Sequence, residues 1–283
     1  MKLTYLGTAA AEAVPGLFCE CSFCQKARKA GGKEWRRRSG AIVNDDLMID
    51  FSPDVYTGTR SLGICLSKLK YVIFTHSHSD HFTPYELEFR TAPVYAVLPA
   101  EKEKLHIYGN KKIEEKMTGI YGTDMSRCGF DFTFVPPYQP FTAGEYTITP
   151  ISVIHCPPED AYIYLIEHKG VKLLYANDTG IFTDAAFDYL KGIKLDIVSL
   201  DCTLGHSKYY TGHMGFTANL KVKEILTENG CVKDDTVFIS HHFSHNGLRA
   251  DEPGDVDWTY ENFMKMAEPH GFIMSYDGLV VEK

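Results

Sequence analysis

The sequence predicts a protein that combines α-helices with β-strands. Largely apolar runs such as Tyr71–Phe74 and Val171–Ala176 are typical of buried strands. The stretch 217–228 mixes apolar with charged residues over a length that is typical of a helix. A chain of 283 residues, 44% hydrophobic and 23% charged, is long enough to bury a large core. We therefore expect a single globular domain of the α plus β class over residues 1–283.

Strand and helix alternate along the chain. Strands are predicted at residues 2–6, 40–44, 46–50, 71–75, 105–108, 130–135, 146–154, 161–167, 171–176, 194–201 and 236–240. Helices are predicted at residues 183–191, 217–228 and 259–268, and from Ser52-Pro53 onward, where a proline follows a serine cap. A further helix is expected near His81, capped by Ser79 or Asp80. His168-Lys169-Gly170 is a predicted hairpin turn, and a second hairpin is expected through Phe272–Val280.

Composition narrows the classes of function. A net charge of −8 argues against a broad nucleic-acid surface. No apolar run approaches a membrane span, and the segment Met1–Leu6 is too short for the apolar region of a signal peptide. Because a reducing cytoplasm keeps thiols free to bind metal, the eight cysteines favour a cytoplasmic protein. Five of them, Cys65, Cys128, Cys156, Cys202 and Cys231, are scattered and are expected to be small buried side chains.

The segment His76-Ser77-His78-Ser79-Asp80-His81 directly follows an apolar strand and carries four metal-ligand side chains. In extended backbone, His76 and His78 project to the same side about 6 to 7 Å apart, which suits two imidazoles that bind one divalent ion. Asp80 and His81 are then free to turn toward a second ion. A solvated polar loop is the alternative interpretation, but three histidines and an aspartate at this spacing favour metal binding.

Three later strands also end in a metal-ligand side chain. His155 follows Ile151–Ile154, Asp178 follows Val171–Ala176, and the pair His241-His242 follows Thr236–Ile239. Ligands that converge from strand ends are held by a rigid scaffold.

These motifs resemble the H-x-H-x-D-H signature and later ligands of the metallo-β-lactamase superfamily. The resemblance implies an αββα four-layer sandwich with a dinuclear site. One metal would be held by His76, His78 and His155, the other by Asp80, His81 and His242, and Asp178 would bridge them. Either zinc or manganese suits this donor set.

A separate group of thiols, Cys19, Cys21 and Cys24, has the spacing C-x-C-x-x-C in a loop at about residues 15–38. That spacing suits a structural zinc, with a disulfide as the alternative. His245 is the expected fourth ligand, because it lies three residues beyond His242. The stretch His242-Phe243-Ser244-His245 also matches the H-x-S-H pattern of the family described in the next paragraph. His241 is then expected to lie outside the ligand sphere or at the surface.

The cysteine cluster and the stretch Arg36-Arg37-Arg38-Ser39-Gly40 look like the phosphoribosyl cyclic phosphodiesterase family of phosphonate breakdown. The resemblance implies hydrolysis of a small phosphodiester by a hydroxide that bridges two metals, and it is compatible with a homodimer. Alternatives are an ester or lactone hydrolase, an endonuclease like those that trim transfer-RNA 3′ ends, and a non-hydrolytic protein like pyrroloquinoline-quinone biosynthesis protein B. Most side chains of the basic stretch Lys26–Arg38 are expected to belong to a solvated helix and loop, with the alternative that one or two of the arginines reach an anionic substrate.

His213 lies between glycines in Thr211-Gly212-His213-Met214-Gly215 and is predicted either to donate a proton to the leaving oxygen or to hold the phosphate. A surface histidine without a role is the alternative. His213 and Asp80 are the two expected catalytic residues. Asp201 is expected to orient a ligand histidine or to cap its loop, and Asp50 to brace the H-x-H loop.

Overall fold

The computed structural model describes residues 1–99, 104–205, 211–245 and 259–283, and within them two mixed β-sheets pack face to face. The first sheet has the order β14-β1-β2-β3-β4-β5-β6 and the second the order β13-β12-β11-β10-β9-β8-β7. Strands of the first sheet are β1 (Lys2–Gly7), β2 (Gly40–Val43), β3 (Leu47–Ile49), β4 (Tyr71–Ile73), β5 (Leu105–Gly109), β6 (Phe130–Phe134) and β14 (Val280–Glu282). Those of the second are β7 (Phe141–Ala143), β8 (Tyr146–Val153), β9 (Ala161–His168), β10 (Val171–Ala176), β11 (Leu195–Asp201), β12 (Val232–His241) and β13 (Phe272–Met274).

Helices cover the outer face of each sheet. They are α1 (Ser22–Ala30), α2 (Val55–Leu62), α3 (Lys111–Tyr121), α4 (Asp184–Leu190), α5 (Phe216–Glu228) and α6 (Tyr260–Ala267). Val55, Ile113 and Met117 pack the outer layer of the first sheet, and Phe187 and Val222 pack that of the second. A third apolar cluster, which includes Tyr5, Ile73, Tyr175 and Ile239, fills the space between the sheets. This is the expected αββα sandwich.

Each sheet joins an antiparallel half to a parallel half. Strands β3 to β6 run parallel to one another, and so do β10 to β13, whereas the other pairings are antiparallel. Because carboxyl ends of parallel strands lie at the same edge of a sheet, the segments after β4, β10, β11 and β12 meet there. Among the described residues, none of the helices has both the length and the apolar character needed to span a membrane.

Three predicted elements were wrong. The expected hairpin through Phe272–Val280 does not form, because β13 pairs with β12 in the second sheet while β14 pairs with β1 in the first. The expected helix near His81 is instead a 3₁₀-helix at Pro84–Arg90. A helical turn does not form at His81, because the backbone there pairs with Phe51 instead. Phe51 N donates to His81 O at 2.9 Å, and Thr83 N donates to Phe51 O at 2.8 Å. The cysteine segment expected to be a loop enters α1, with Cys21 as its N-cap and Cys24 inside it.

Two further expectations also need correction. Cys65 is exposed and Cys128 and Cys156 are partly exposed, so only Cys202 and Cys231 of the scattered thiols are buried as predicted. The helix expected to begin at Ser52-Pro53 begins at Val55, after an Asp54 N-cap.

Candidate metal centre

The predicted ligands converge at the carboxyl edge of the parallel strands. His76, His78 and His155 form one group whose ligand atoms lie within 4.8 Å of one another. Asp80, His81 and His242 form a second group by the same measure. We call these two groups, together with Asp178, the donor cluster. The structure thus brings together all seven residues predicted for a dinuclear site.

Asp178 lies between the two groups. Its Oδ2 is 2.8 Å from His81 Nε2 and 3.0 Å from His242 Nε2, and its Oδ1 is 3.6 Å from His155 Nε2. The residue follows β10 with a φ of 48°, a left-handed conformation that turns its side chain back over the strand end. One oxygen therefore faces each group, as a bridging carboxylate requires.

The side-chain nitrogens of neighbouring histidines in the donor cluster lie close to one another. His81 Nε2 lies 3.2 Å from His242 Nε2, and His155 Nε2 lies 3.2 Å from His78 Nδ1. His76 Nε2 and Asp178 Oδ2 are buried without a hydrogen bond of acceptable geometry. Buried polar atoms without partners are costly, and divalent cations between them would satisfy both the lone pairs and the carboxylate charge. The donor set therefore fits two divalent ions.

The far side of four ligand imidazoles is hydrogen-bonded. His76 Nδ1 lies 3.0 Å from Thr75 Oγ1, His81 Nδ1 lies 2.7 Å from Asp50 Oδ2, and His155 Nδ1 donates to Gly212 O at 3.0 Å. His242 Nδ1 lies 2.7 Å from Thr203 Oγ1. Partners of this kind fix the ring orientation and leave the other nitrogen free for a metal.

Asp50 supports the motif loop as expected. Its Oδ1 accepts from Thr75 N at 2.8 Å, its Oδ2 accepts from Thr75 Oγ1 at 2.9 Å, and it is fully buried. Because Thr75 Oγ1 gives its proton to Asp50, it accepts from His76 Nδ1. One carboxylate thus holds His81 directly and His76 through Thr75.

Sequence reasoning missed Thr75, Thr203 and Asn177. Thr75 and Asn177 directly precede a predicted ligand, and Thr203 lies two residues beyond Asp201. That proximity was the available signal, but threonine and asparagine are common at strand ends for reasons of turn formation.

His213 lies at the rim of the donor cluster. Its Nδ1 is 3.0 Å from Asp201 Oδ2 and 3.8 Å from Asp178 Oδ1, and its ring centroid is 4.8 Å from that of His155. The side chain is 29% exposed, so it is accessible from outside. Asp201 also accepts from Thr203 N at 3.0 Å and from Met214 N at 2.9 Å, so it both fixes the loop and orients His213.

The charges of the cluster follow from burial and from mutual attraction. Burial lowers the pKa of His76 well below its usual value, which leaves a neutral imidazole. Burial raises the pKa of Asp178, but the neighbouring His242 and His81 outweigh it and hold that pKa well below its usual range. Burial lowers the pKa of His81, but Asp178 and Asp80 outweigh it and raise that pKa well above the usual value. The carboxylates around His81 thus favour a positive charge at this position, which suits either a proton or a divalent cation.

His213 carries a different charge. Burial lowers its pKa, but the carboxylate of Asp201 outweighs burial and raises that pKa to about 9. The charge of Asp201 therefore favours the protonated form of the imidazole at the rim.

The second predicted site also assembles. Cys19, Cys21, Cys24 and His245 have ligand atoms within 4.8 Å of one another. His245 Nδ1 lies 3.4 Å from Cys19 Sγ and 3.7 Å from Cys21 Sγ. A Cβ on Gly16 would lie 2.9 Å from His245 Nε2, so glycine is needed where the loop passes the imidazole. The four donors match a tetrahedral zinc site in type and number.

The arginines of the basic stretch contact the protein itself. Arg38 donates to both carboxylate oxygens of Asp54 at 2.7 and 3.0 Å, and Arg37 lies 3.2 Å from Asp277. Arg36 is buried and donates to Ser275 O at 2.7 Å. These contacts fix the return of the chain from the cysteine segment to β2.

A family model described as a beta-lactamase superfamily domain matches residues 46–241, which is more than half of the chain. The chain belongs to the metallo-β-lactamase superfamily. It is a metal-dependent hydrolase of that fold.

Its relatives agree on the fold. The probable metallo-hydrolase YhfI of Bacillus subtilis is 27% identical over 184 residues, which cover 64% of this chain and 70% of that protein. A diphosphatase from the PhnP family has a TM-score of 0.75 at 22% identity, with coverage of 100% of this chain and 97% of the other. Zinc-bound PqqB from Methylobacterium extorquens has a TM-score of 0.76 at 18% identity, with full coverage of both chains. At these identities the two structural likenesses show the sandwich fold and not a shared substrate.

Proposed function

We propose that this hydrolase is a phosphodiesterase that acts on a small linear or cyclic phosphodiester. The observation that carries the proposal is the position of His213, which is oriented by Asp201 and lies beside Asp178 at the rim of the donor cluster. A cationic imidazole there suits a substrate that is an anion before it reacts, and it offers a proton to a departing oxygen. A neutral ester or lactone would make no use of that positive charge.

We propose that the donor cluster binds two divalent ions, zinc or manganese, with Asp178 between them. Such a pair, when bound, activates water for attack and neutralises charge on a phosphoryl group. His76, His78 and His155 would hold one ion, and Asp80, His81 and His242 the other. The hydrogen bonds that these imidazoles make with Thr75, Asp50, Gly212 and Thr203 keep them in place, so little reorganisation is needed during the reaction.

His213 then acts as proton donor. Because its Nδ1 is occupied by Asp201, the proton available for transfer is on Nε2, on the opposite side of the ring. Asp201 is fully buried and holds the ring in one orientation, and the His213 side chain is 29% exposed. We propose that Asp201 is in this sense a positioning residue and His213 a catalytic one.

We also propose that Cys19, Cys21, Cys24 and His245 bind a structural zinc. This ion would join the segment after β1 to the segment after β12, two parts of the chain that are far apart in sequence. The role is stabilising, because all four ligand positions are taken by protein.

The test combines metal analysis with a substrate screen. Protein purified without added metal is expected to contain zinc or manganese at the donor cluster and zinc at the cysteines. It should hydrolyse bis(p-nitrophenyl) phosphate and cyclic phosphodiesters faster than p-nitrophenyl acetate or a simple lactone. Full metal content with preference for the ester or lactone would contradict the phosphodiesterase proposal. Full metal content without hydrolysis of either class would favour the non-hydrolytic alternative.

A further inference from the structure

A buried histidine that is not among the donor cluster lies directly beneath it. His241 ends β12, is fully buried, and immediately precedes the ligand His242. Its ring centroid is 4.8 Å from that of Tyr5 in β1, so it lies between the two sheets. Because an imidazole carries two polar nitrogens, burying it there requires partners for both.

Each nitrogen of His241 has such a partner. Nε2 lies 2.8 Å from Ser39 Oγ and 2.9 Å from Tyr175 OH, and Nδ1 lies 3.2 Å from Ser275 Oγ. Ser39 leads into β2 of the first sheet, Tyr175 belongs to β10 of the second, and Ser275 follows β13. One side chain therefore connects both sheets and the C-terminal segment at the level of the site.

The contacts of His241 continue to the donor cluster. Asn177 Nδ2 donates to Ser39 Oγ at 3.4 Å and to Asp50 Oδ2 at 3.3 Å. The same oxygen of Asp50 lies 2.7 Å from His81 Nδ1. A continuous path of buried polar groups thus runs from His241 through Ser39, Asn177 and Asp50 to His81.

We propose that His241 is a positioning residue that fixes Asp50 against His81 through Ser39 and Asn177. It thereby sets the affinity of the group Asp80, His81 and His242 for its ion. The inference rests on the metal assignment made under the proposed function. Asp50 is a fully buried carboxylate, so each lost donor changes its orientation or its charge balance. The group His76, His78 and His155 reaches Asp50 only through Thr75, and it should be affected less.

A purely space-filling role for His241 makes a different prediction. In that case the hydroxyls of Ser39 and Tyr175 would matter only for stability, and the affinities of both groups for metal would stay as they are. Variants that remove a hydroxyl without creating a large cavity separate the two roles.

The experiment uses Tyr175→Phe and Ser39→Ala, with Tyr164→Phe as the matched control. Tyr164 is a fully buried tyrosine on the adjacent strand β9, and its hydroxyl donates to Phe74 O at 2.7 Å. Metal-free full-length protein is titrated with Co²⁺ against a competing chelator. The visible bands of cobalt bound by imidazole and carboxylate report the donor cluster, and the thiolate-to-cobalt charge-transfer band reports the cysteine site separately. His241→Gln, which keeps one donor and one acceptor, tests for partial rescue relative to His241→Phe.

We expect the ion held by Asp80, His81 and His242 to bind about tenfold more weakly in Tyr175→Phe and Ser39→Ala than in wild type. The ion held by His76, His78 and His155 should bind as before. kcat on a phosphodiester should fall with little change in KM. If Tyr175→Phe and Ser39→Ala both bind the two ions as tightly as the control protein Tyr164→Phe does, the positioning role is overturned. Wild-type protein that takes up fewer than two ions at the donor cluster would overturn the proposed metal site as well. Two tightly bound ions without phosphodiester hydrolysis would overturn only the proposed function.

Discussion

The donor cluster and the cysteine site are held in opposite ways. The ligands of the donor cluster follow strands of both sheets, and four of the imidazoles are fixed by a hydrogen bond on the side away from the cluster. The thiols of Cys19 and Cys21 instead lie in a partly exposed segment between β1 and α1. The donor cluster is therefore held in place by the fold itself, whereas at the cysteine site the proposed zinc would tie together two segments that are far apart in the chain. A preorganised site suits catalysis, and a metal-organised one suits stability.

Replacement of Asp178 by Asn should have the largest effect on activity. The change keeps the shape of the side chain but removes the charge shared by both groups of ligands. Phosphodiester hydrolysis should fall by at least about 10³-fold, since even one preorganised electrostatic contact contributes 10² to 10³. Steady-state kinetics and metal analysis check this. Asp196→Asn is the control and should retain activity, because it alters a buried carboxylate on β11 that pairs with Lys233 of β12. An active Asp178→Asn enzyme would contradict the bridging role.

Replacement of His213 by Ala should lower kcat by about 10² to 10⁴ while the metal content stays at the wild-type level. The reason is that His213 lies at the rim and is assigned to proton transfer and not to metal binding. The matched control is His106→Ala, because His106 also forms a His–Asp pair, with Asp131 at 2.9 Å. Loss of metal together with activity would instead place His213 among the ligands.

Replacement of Cys24 by Ser should affect stability and leave the donor cluster occupied. Cys24 is buried in α1, and loss of its thiolate should release the structural zinc. We expect a lower Tm, by about 2 to 4 °C for each kcal/mol lost. Elemental analysis with thermal unfolding measures both effects, and Cys231→Ser is the buried control outside the site. Metal loss confined to the donor cluster would reverse the comparison between the two sites.

Asp277 contacts Arg37 in the segment between α1 and β2, and it should make a smaller, pH-dependent contribution to stability. Burial raises the pKa of Asp277 from 3.8 to about 6, and its carboxylate accepts from Arg37 N at 2.8 Å. The carboxyl group of Asp277 therefore binds a proton more tightly in the folded protein than in the unfolded chain. The free energy of unfolding should rise by about 1 kcal/mol from this group as pH falls from 7 to 5.

Asp277→Asn should lack that contribution. Urea unfolding of wild type and variant at both pH values gives the difference, and Asp54→Asn, which removes a partner of Arg38, is the control. An identical pH dependence in wild type and Asp277→Asn would contradict the prediction.

The side chains that assemble in the donor cluster and in the cysteine site were largely predictable from the sequence as candidates for metal binding, because the evidence for them is local. The spacing from His76 to His81, the thiols from Cys19 to Cys24, and the strand ends before His155 and Asp178 depend on backbone repeat and residue chemistry. The choice of His242 over His241 needed the family pattern, since adjacent histidines after one strand are locally equivalent.

The sequence by itself determined the ligand types, their order and the alternation of strands and helices, because these follow from short-range patterns. The tertiary structure alone decided that β13 and β14 belong to different sheets, and that Ser39, Asn177 and His241 meet between them. Such contacts join residues far apart in the chain, and they depend on how two sheets pack and on where buried polar groups find partners. A single sequence carries no local signal for either.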